Sequence, residues 1–134
     1  MTATLVDSNV LLDVVTDDSR WGPWSAEALE RASTLGVVAI NPIIYAEVST
    51  GFDRIEALDE VLPAEAFRRL PLPWEAGFLA GKCFGRYRRA GGSRRSPLPD
   101  FYIGAHAAVS GLTLLTRDPA RYRTYFPGLS LIAP

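Results

Sequence analysis

Short, mainly apolar runs recur along the chain, separated by polar stretches and by segments with helical spacing. Such runs stand at residues 3–6, 37–40, 112–115 and 129–132. Short, continuous apolar runs are typical of strands whose two faces are both covered. Because these strands alternate with helical segments, the pattern predicts an α/β fold with a short, mainly parallel central sheet.

The segments between the runs carry signals for helix starts and ends. Pro23 and Asn41-Pro42 are typical of first helical turns, and Gly36 and Gly111 are typical of helix ends. Two longer segments, 51–63 and 74–90, repeat apolar residues at helical spacing. The side chains of these two helices expected to face the core are Ile55, Leu58, Leu62, Phe78, Leu79, Cys83, Phe84 and Tyr87.

Two aspartates lie just beyond predicted strands. Asp7 directly follows the first apolar run, and Asp118 comes three residues after the third. In open parallel sheets, ligands bind at the carboxyl ends of the strands, which makes both side chains candidate site residues. The alternative for Asp7 is a purely structural helix cap. Ser8 and Asn9 are also capping residue types, however, and the helix is expected to begin near Val10.

Two further acids lie on predicted helices. Glu47 is the single residue of the helix predicted over 43–50 that is charged at neutral pH, and an unpaired buried charge costs several kcal/mol. We therefore expect Glu47 to have a partner, the alternative being a side chain that faces solvent. Asp100 directly follows Pro99 and is expected to open a helix that ends at Gly111.

Composition bounds the kind of protein. The 134 residues and the 48% hydrophobic content predict a single globular domain over 1–134. The net charge is only −1, so no global field favours nucleic acid. Thirteen of the fourteen basic residues are arginine, and five of them cluster between Arg86 and Arg95. This glycine-containing stretch is either a phosphate clamp beside Asp100 or a basic surface loop.

Several site types and compartments are disfavoured by what the sequence lacks. Cys83 and His106 are the single cysteine and the single histidine, which argues against a disulfide framework and against a zinc site. His106 is instead expected to be hydrogen-bonded or at the surface. The first residues lack the features of a signal peptide, and no apolar run is long enough to span a membrane. These features predict a cytoplasmic protein.

The four acids together predict a site for a hard cation. Carboxylates gathered at one crevice repel one another, and a divalent cation or shifted pKa values would relieve that repulsion. Oxygen ligands favour Mg²⁺ or Mn²⁺ over zinc. Such an ion activates water and stabilises a phosphoryl centre, so the predicted reaction class is metal-assisted phosphodiester hydrolysis. Ser8 or Thr116 could orient the water or a carboxylate, and nearby arginines could hold the flanking phosphates.

Four stretches in order carry a resemblance to a known family. The stretches LVDSNVLLD, NPIIYAEV, LPDFYIGAHA and LLTRDP resemble those of the PIN-domain nucleases, and more narrowly those of VapC-type toxins of toxin–antitoxin modules. The resemblance implies a PIN-like α/β/α sandwich and cleavage of RNA with Mg²⁺ or Mn²⁺. The acids that it assigns to catalysis and metal binding are Asp7, Glu47, Asp100 and Asp118. It also makes Asn9 and Thr116 accessory polar residues, and it implies a homodimer and a cognate antitoxin that covers the site.

The chain departs from the family pattern at one position. Many relatives have a further acid three residues after the position of Asp118, where this chain has Arg121. The resemblance therefore gives stronger support to a first metal ion than to a second. Arg117 and Arg121, together with Arg94 and Arg95, are candidate contacts to the RNA backbone.

Two other functions compete with the nuclease. The first is a non-catalytic binding protein whose acids form salt bridges with the many arginines. The second is a phosphatase or phosphotransferase with Asp7 as nucleophile. The run DSNVL lacks the second aspartate that such a phosphatase fingerprint requires, and Lys82 is misplaced for a receiver domain.

Overall fold

Five strands, with one or two helices between each consecutive pair, span residues 3–92 and 98–134, the part of the chain that the computed structural model describes. The strands are β1 (Thr4–Val6), β2 (Val38–Ile40), β3 (Arg68–Arg69), β4 (Thr113–Leu115) and β5 (Leu131–Ile132). The helices are α1 (Ser8–Val15), α2 (Gly22–Leu35), α3 (Pro42–Ser49), α4 (Ile55–Val61), α5 (Trp74–Arg89), α6 (Leu98–Ser110) and α7 (Ala120–Tyr125).

The strands form one parallel sheet in the order β3-β2-β1-β4-β5. Helices flank the sheet, which confirms the predicted α/β/α fold with a short parallel sheet. The central strand β1 pairs with β4 so that Leu5 lies opposite Leu114 and Val6 lies opposite Leu115. This register places Asp7 beside Thr116 at the carboxyl edge of the sheet.

Close packing between α6 and Phe126 depends on a glycine. A methyl group at Gly104 would lie 2.5 Å from the ring of Phe126, so the ring needs the space that glycine leaves. Gly111 ends α6 with a φ of 65°, a left-handed conformation that glycine adopts without strain. Phe101 is fully buried in a group of aromatic rings that includes Tyr125, 5.0 Å away between ring centroids.

Two predictions about inward-facing side chains are wrong. Ile55 is 61% exposed, because the helix predicted over 51–63 begins only at Ile55; the other two predicted residues of this segment, Leu58 and Leu62, are buried as expected. Phe78 is 70% exposed, because the buried stripe of α5 runs through its smaller residues. The buried residues of that stripe are Ala76, Ala80 and Cys83.

The start of α1 also differs from the prediction. The Asp7 carboxylate accepts a hydrogen bond from the Ser8 backbone N–H, so the helix begins at Ser8 and not near Val10. Asp7 is therefore the capping residue, and the side chains of Ser8 and Asn9 are free to bond elsewhere. None of the helices in the described part of the chain is long and apolar enough to cross a membrane.

His106 lies buried in a hydrogen-bonded pair, in line with the sequence expectation. Its Nδ1 atom is 3.0 Å from the side-chain nitrogen of Asn41, which donates the hydrogen bond. The Asn41 oxygen accepts from the Ile44 backbone N–H and so caps α3. Burial lowers the pKa of His106 below its ordinary value of 6.5. The pair joins α6 to the start of α3.

We expect His106→Gln to change how the free energy of unfolding responds to acidification below pH 7. The unfolded chain takes up a proton at the His106 position below about pH 6.5, whereas the folded protein holds the imidazole neutral. The contribution of His106 to stability therefore falls between pH 7 and pH 5, and the variant lacks this loss, so its free energy of unfolding should change more favourably than that of the wild type over this range. Urea unfolding at both pH values measures this, and equal changes in the two proteins would contradict the assignment.

Candidate active site

Asp7 is the most enclosed of the candidate acids, at 3% exposure. One carboxylate oxygen accepts from the Ser8 backbone N–H at 2.8 Å. The other accepts from the hydroxyls of Thr116 at 2.8 Å and Tyr122 at 2.9 Å, and from the Asn9 amide at 3.4 Å. Donors from α1, from the residue after β4 and from α7 therefore hold this carboxylate at the edge of the sheet.

Asn9 and Thr116 link the ends of β1 and β4 around that carboxylate. The Asn9 amide nitrogen lies 3.3 Å from the Thr116 hydroxyl oxygen, and its carbonyl oxygen accepts from the Arg117 backbone N–H at 3.1 Å. The same hydroxyl oxygen accepts from the Asp118 backbone N–H at 3.1 Å. These bonds position the loop that carries Asp118, so both predicted accessory residues lie at the site.

Glu47 has the partner that the sequence argument requires. Its carboxylate accepts a hydrogen bond from the Ser8 hydroxyl at 2.8 Å, which joins α3 to α1. The side chain is half-buried. Burial raises the pKa of Glu47, the Ser8 bond opposes that rise, and the negative charge of Asp100 adds to it.

Asp100 forms an ion pair with an arginine of the same chain. Arg121 Nη1 lies 2.8 Å from Asp100 Oδ2, and both side chains are about one-third exposed. The guanidinium carbon also lies 5.7 Å from the ring centroid of Tyr87, within the range of a cation–π contact. Burial raises the pKa of Asp100, Arg121 acts to lower it, and the charge of Asp118 raises it.

The four acids lie close enough to affect one another. Burial raises the pKa of Asp7 from its ordinary value of 3.8 to about 6; the charges of Asp100 and Glu47 also raise it, whereas the bonds from Thr116 and Tyr122 lower it. Asp118 in turn acts on Asp100. The fold thus gathers acids that are separated by up to 111 positions into one negatively charged region.

The donor atoms of this region fit a hard cation chemically. They are carboxylate, hydroxyl and amide oxygens, the ligand set that Mg²⁺ and Mn²⁺ accept. Within residues 3–92 and 98–134, however, no three Asp, Glu, His or Cys side chains stand in an arrangement ready to hold a metal ion. Asp100 Oδ2 already accepts from Arg121 and Glu47 Oε1 from Ser8, so an ion would need the other oxygen of each carboxylate or a rotated side chain.

Two residues that the sequence analysis did not single out contribute to this region. The buried hydroxyl of Tyr122 donates to Asp7, and burial together with the Asp7 charge raises the pKa of Tyr122, so the hydroxyl keeps its proton. The sequence did carry a signal for Tyr122. It lies four positions before Phe126, a spacing that places both rings on one helix face, and a buried tyrosine hydroxyl needs a hydrogen-bond partner. Asp13, an acid within the apolar helix α1, could have been found by the argument used for Glu47.

Asp13 anchors the loop after β4. Its buried carboxylate accepts from Arg117 Nε at 2.7 Å and Nη2 at 3.1 Å, and from the Ser25 hydroxyl at 2.7 Å. The Arg117 guanidinium carbon lies 5.7 Å from the centroid of the Trp21 ring. Arg117, a candidate RNA contact, thus has its guanidinium engaged within the protein. Arg94 and Arg95 lie outside the described residues.

A family model for the PIN domain matches residues 4–127, which confirms the resemblance seen in the sequence. No curated protein sequence matches the chain significantly. Solved structures provide a comparison at the level of the fold.

Three of the matching structures are toxin–antitoxin complexes. VapBC2 from Rickettsia felis, bound to a DNA fragment from its promoter, is 17% identical with 99% of both chains covered and a TM-score of 0.75. VapBC-1 from nontypeable Haemophilus influenzae is 18% identical with 98% of both covered and a TM-score of 0.73. A complex from Klebsiella pneumoniae is 23% identical, covers 96% of this chain and 95% of the other, and has a TM-score of 0.69. At these identities the likeness shows the fold.

We expect Asp13→Ala to lower the free energy of unfolding by about 2 kcal/mol, because it leaves the partly buried Arg117 without its carboxylate. Glu60→Ala, which removes an exposed acid on α4, is the control and should change stability by less than about 0.5 kcal/mol. Urea unfolding of both variants measures the difference. An Asp13 variant as stable as the control would contradict the anchoring role.

In metal-free buffer, we expect the Asp7 carboxyl to contribute a loss of stability as the pH rises from about 4 to 7. The folded protein holds the Asp7 proton more tightly than the unfolded chain does, so ionisation near neutral pH disfavours the fold. Asp7→Asn removes this contribution, and its free energy of unfolding should fall less than that of the wild type over the same range, by about 2 kcal/mol. Urea unfolding with a chelator present measures both slopes, and parallel slopes would refute the buried ionisable group.

Proposed function

This chain belongs to the PIN domain family, and on that premise we propose that it is a divalent-metal-dependent endoribonuclease. The proposal extends to the role of toxin in a toxin–antitoxin pair. The observation that carries it is the Asp7 carboxylate, which is buried among donors at the sheet edge and lies in reach of the charges of Glu47 and Asp100. A buried carboxylate surrounded by other acids favours a bound cation.

In this proposal, the residues that hold Mg²⁺ or Mn²⁺ are Asp7, Glu47, Asp100 and Asp118. The ion when bound would supply an activated water and would stabilise negative charge on the phosphate. Thr116, Asn9 and Tyr122 keep the Asp7 carboxylate in place through their hydrogen bonds. Ser8 orients Glu47 from the neighbouring helix.

The proposed substrate is RNA, held through its backbone phosphates. Arg121 is about one-third exposed beside Asp100, so its guanidinium can face a phosphate next to the acids. Arg117 is less available, because Asp13 accepts from two of its nitrogens. Arg94 and Arg95 stay candidates on the basis of sequence. A protein of such low net charge is suited to unpaired bases and RNA shape more than to duplex sequence.

The proposed protein partners are a cognate antitoxin and a second copy of the chain. Helix α5 exposes Trp74 at 93% and Phe78 at 70%, one helical turn apart. Large apolar side chains exposed together are typical of interaction surfaces. The similar structures from Rickettsia felis and Haemophilus influenzae are VapBC complexes, which supports a partner of the antitoxin class. We retain a single domain over 1–134 as part of the proposal.

A non-catalytic binding protein is the second candidate, and the ion pairs of Asp13 with Arg117 and Asp100 with Arg121 favour it. The remaining candidate acids argue against it. Across residues 3–92 and 98–134, neither Asp7 nor Glu47 nor Asp118 has a basic group within 4.0 Å. In that described part of the chain, no arginine therefore pairs with the centre of the acid region.

We expect the wild type to cleave a pool of RNA hairpins with randomised loops in Mn²⁺, and to stop when chelator is added. Asp7→Asn and Asp118→Asn should each lower the rate by at least about a hundredfold, because the cation that would stabilise the phosphate loses a carboxylate ligand. Gel separation of end-labelled RNA measures the rates.

Glu60→Gln removes one negative charge from an exposed site on α4 and serves as the matched control. It should cleave as fast as the wild type, and thermal melting should show that all the variants are folded. A folded Asp7→Asn variant with undiminished cleavage, or cleavage that continues in chelator, would disprove the proposed mechanism and favour the binding protein.

A further inference from the structure

Arg121 is held at the acid region from two sides. Its Nη1 atom lies 2.8 Å from Asp100 Oδ2, and its guanidinium carbon lies 5.7 Å from the centroid of the Tyr87 ring. Tyr87 is itself packed against the buried Phe101 at 5.7 Å between ring centroids. The packing of α5, α6 and α7 thus places the positive charge at the acid region.

Helix α7 carries both Arg121 and a residue that contacts the buried Asp7 carboxylate. Tyr122, the next residue along the helix, donates its hydroxyl hydrogen to Asp7 at 2.9 Å. Asp7 and Asp100 lie near enough for the charge of Asp100 to act on Asp7. A cation on Asp100 therefore acts on the same group of acids that would receive a metal ion.

The balance of charge in the acid region favours one bound divalent ion over two. Two divalent ions together with Arg121 would carry more positive charge than the four carboxylates carry negative charge. A single ion together with Arg121 stays below that limit. Two dications and a guanidinium within one small region would also repel one another strongly at an intermediate dielectric.

We propose that Arg121 takes the place of a second metal ion: its guanidinium neutralises Asp100, so that the acid region binds one divalent ion, centred on Asp7. The inference rests on the proposed function, since it concerns the same site. When the metal ion and RNA are bound, the guanidinium stays on Asp100 and presents its remaining N–H groups to the substrate phosphate. Arginine suits this role because its planar guanidinium can donate two parallel hydrogen bonds to a phosphate.

The test is a count of Mn²⁺ ions bound per chain, by electron paramagnetic resonance titration without RNA. We expect one ion for the wild type and one for Arg121→Lys, which keeps the charge. Arg121→Gln should bind a second ion and should bind the first at least about tenfold more tightly, because a positive charge near the ion is removed.

Arg123→Gln is the matched control. Arg123 lies on the same helix two residues away and is exposed, and the substitution removes the same charge. It should bind Mn²⁺ as the wild type does. Thermal melting should show that both glutamine variants are folded, since a partly exposed ion pair contributes at most about 1 kcal/mol.

The outcomes separate this inference from the proposed function. Two ions bound by the wild type would overturn the replacement by Arg121 and leave the metal-dependent nuclease in place. If Arg121→Gln and Arg123→Gln bound the same number of Mn²⁺ ions with the same affinity, the inference would also be overturned, because the position of the charge would then have no effect on metal binding. Absence of Mn²⁺ binding in both the wild type and Arg121→Gln would overturn the metal-dependent function itself, and the inference with it.

Discussion

The structure depends on a carboxylate that the fold buries at the carboxyl edge of its sheet. Asp7 ends the central strand, and the parallel register of β1 with β4 places it beside Thr116. Burial of an acid is costly unless donors or a cation compensate the charge. Donors from three elements surround Asp7, yet its pKa is still raised to about 6. The proposed cation provides the compensation that these donors leave incomplete.

Two arginine–carboxylate pairs surround this centre and have different consequences. The pair of Arg117 with Asp13 is bidentate and largely buried, and it fixes the loop between β4 and α7 against α1. The pair of Arg121 with Asp100 is one-third exposed and lies among the candidate ligands themselves. The first pair therefore serves the architecture, and the second sets the charge of the site.

Much of the site could be predicted from local sequence. Asp7 and Asp118 follow apolar runs, and Glu47 lies alone among apolar residues, so each acid carries its own signal. The same rule applied to α1 would have identified Asp13. The exposure of Ile55 and Phe78 could not be predicted, because both residues fit the helical period and only the packing partners decide which stripe is covered.

The sequence by itself determined the fold class and the family and indicated the candidate acids, because short apolar runs, sequence motifs and isolated charges are local properties of the chain. The tertiary structure decided the partners: Tyr122 on Asp7, Ser8 on Glu47, Arg121 on Asp100. These pairs join residues between 21 and 115 positions apart. Their choice follows from strand register and helix packing, which no local pattern specifies.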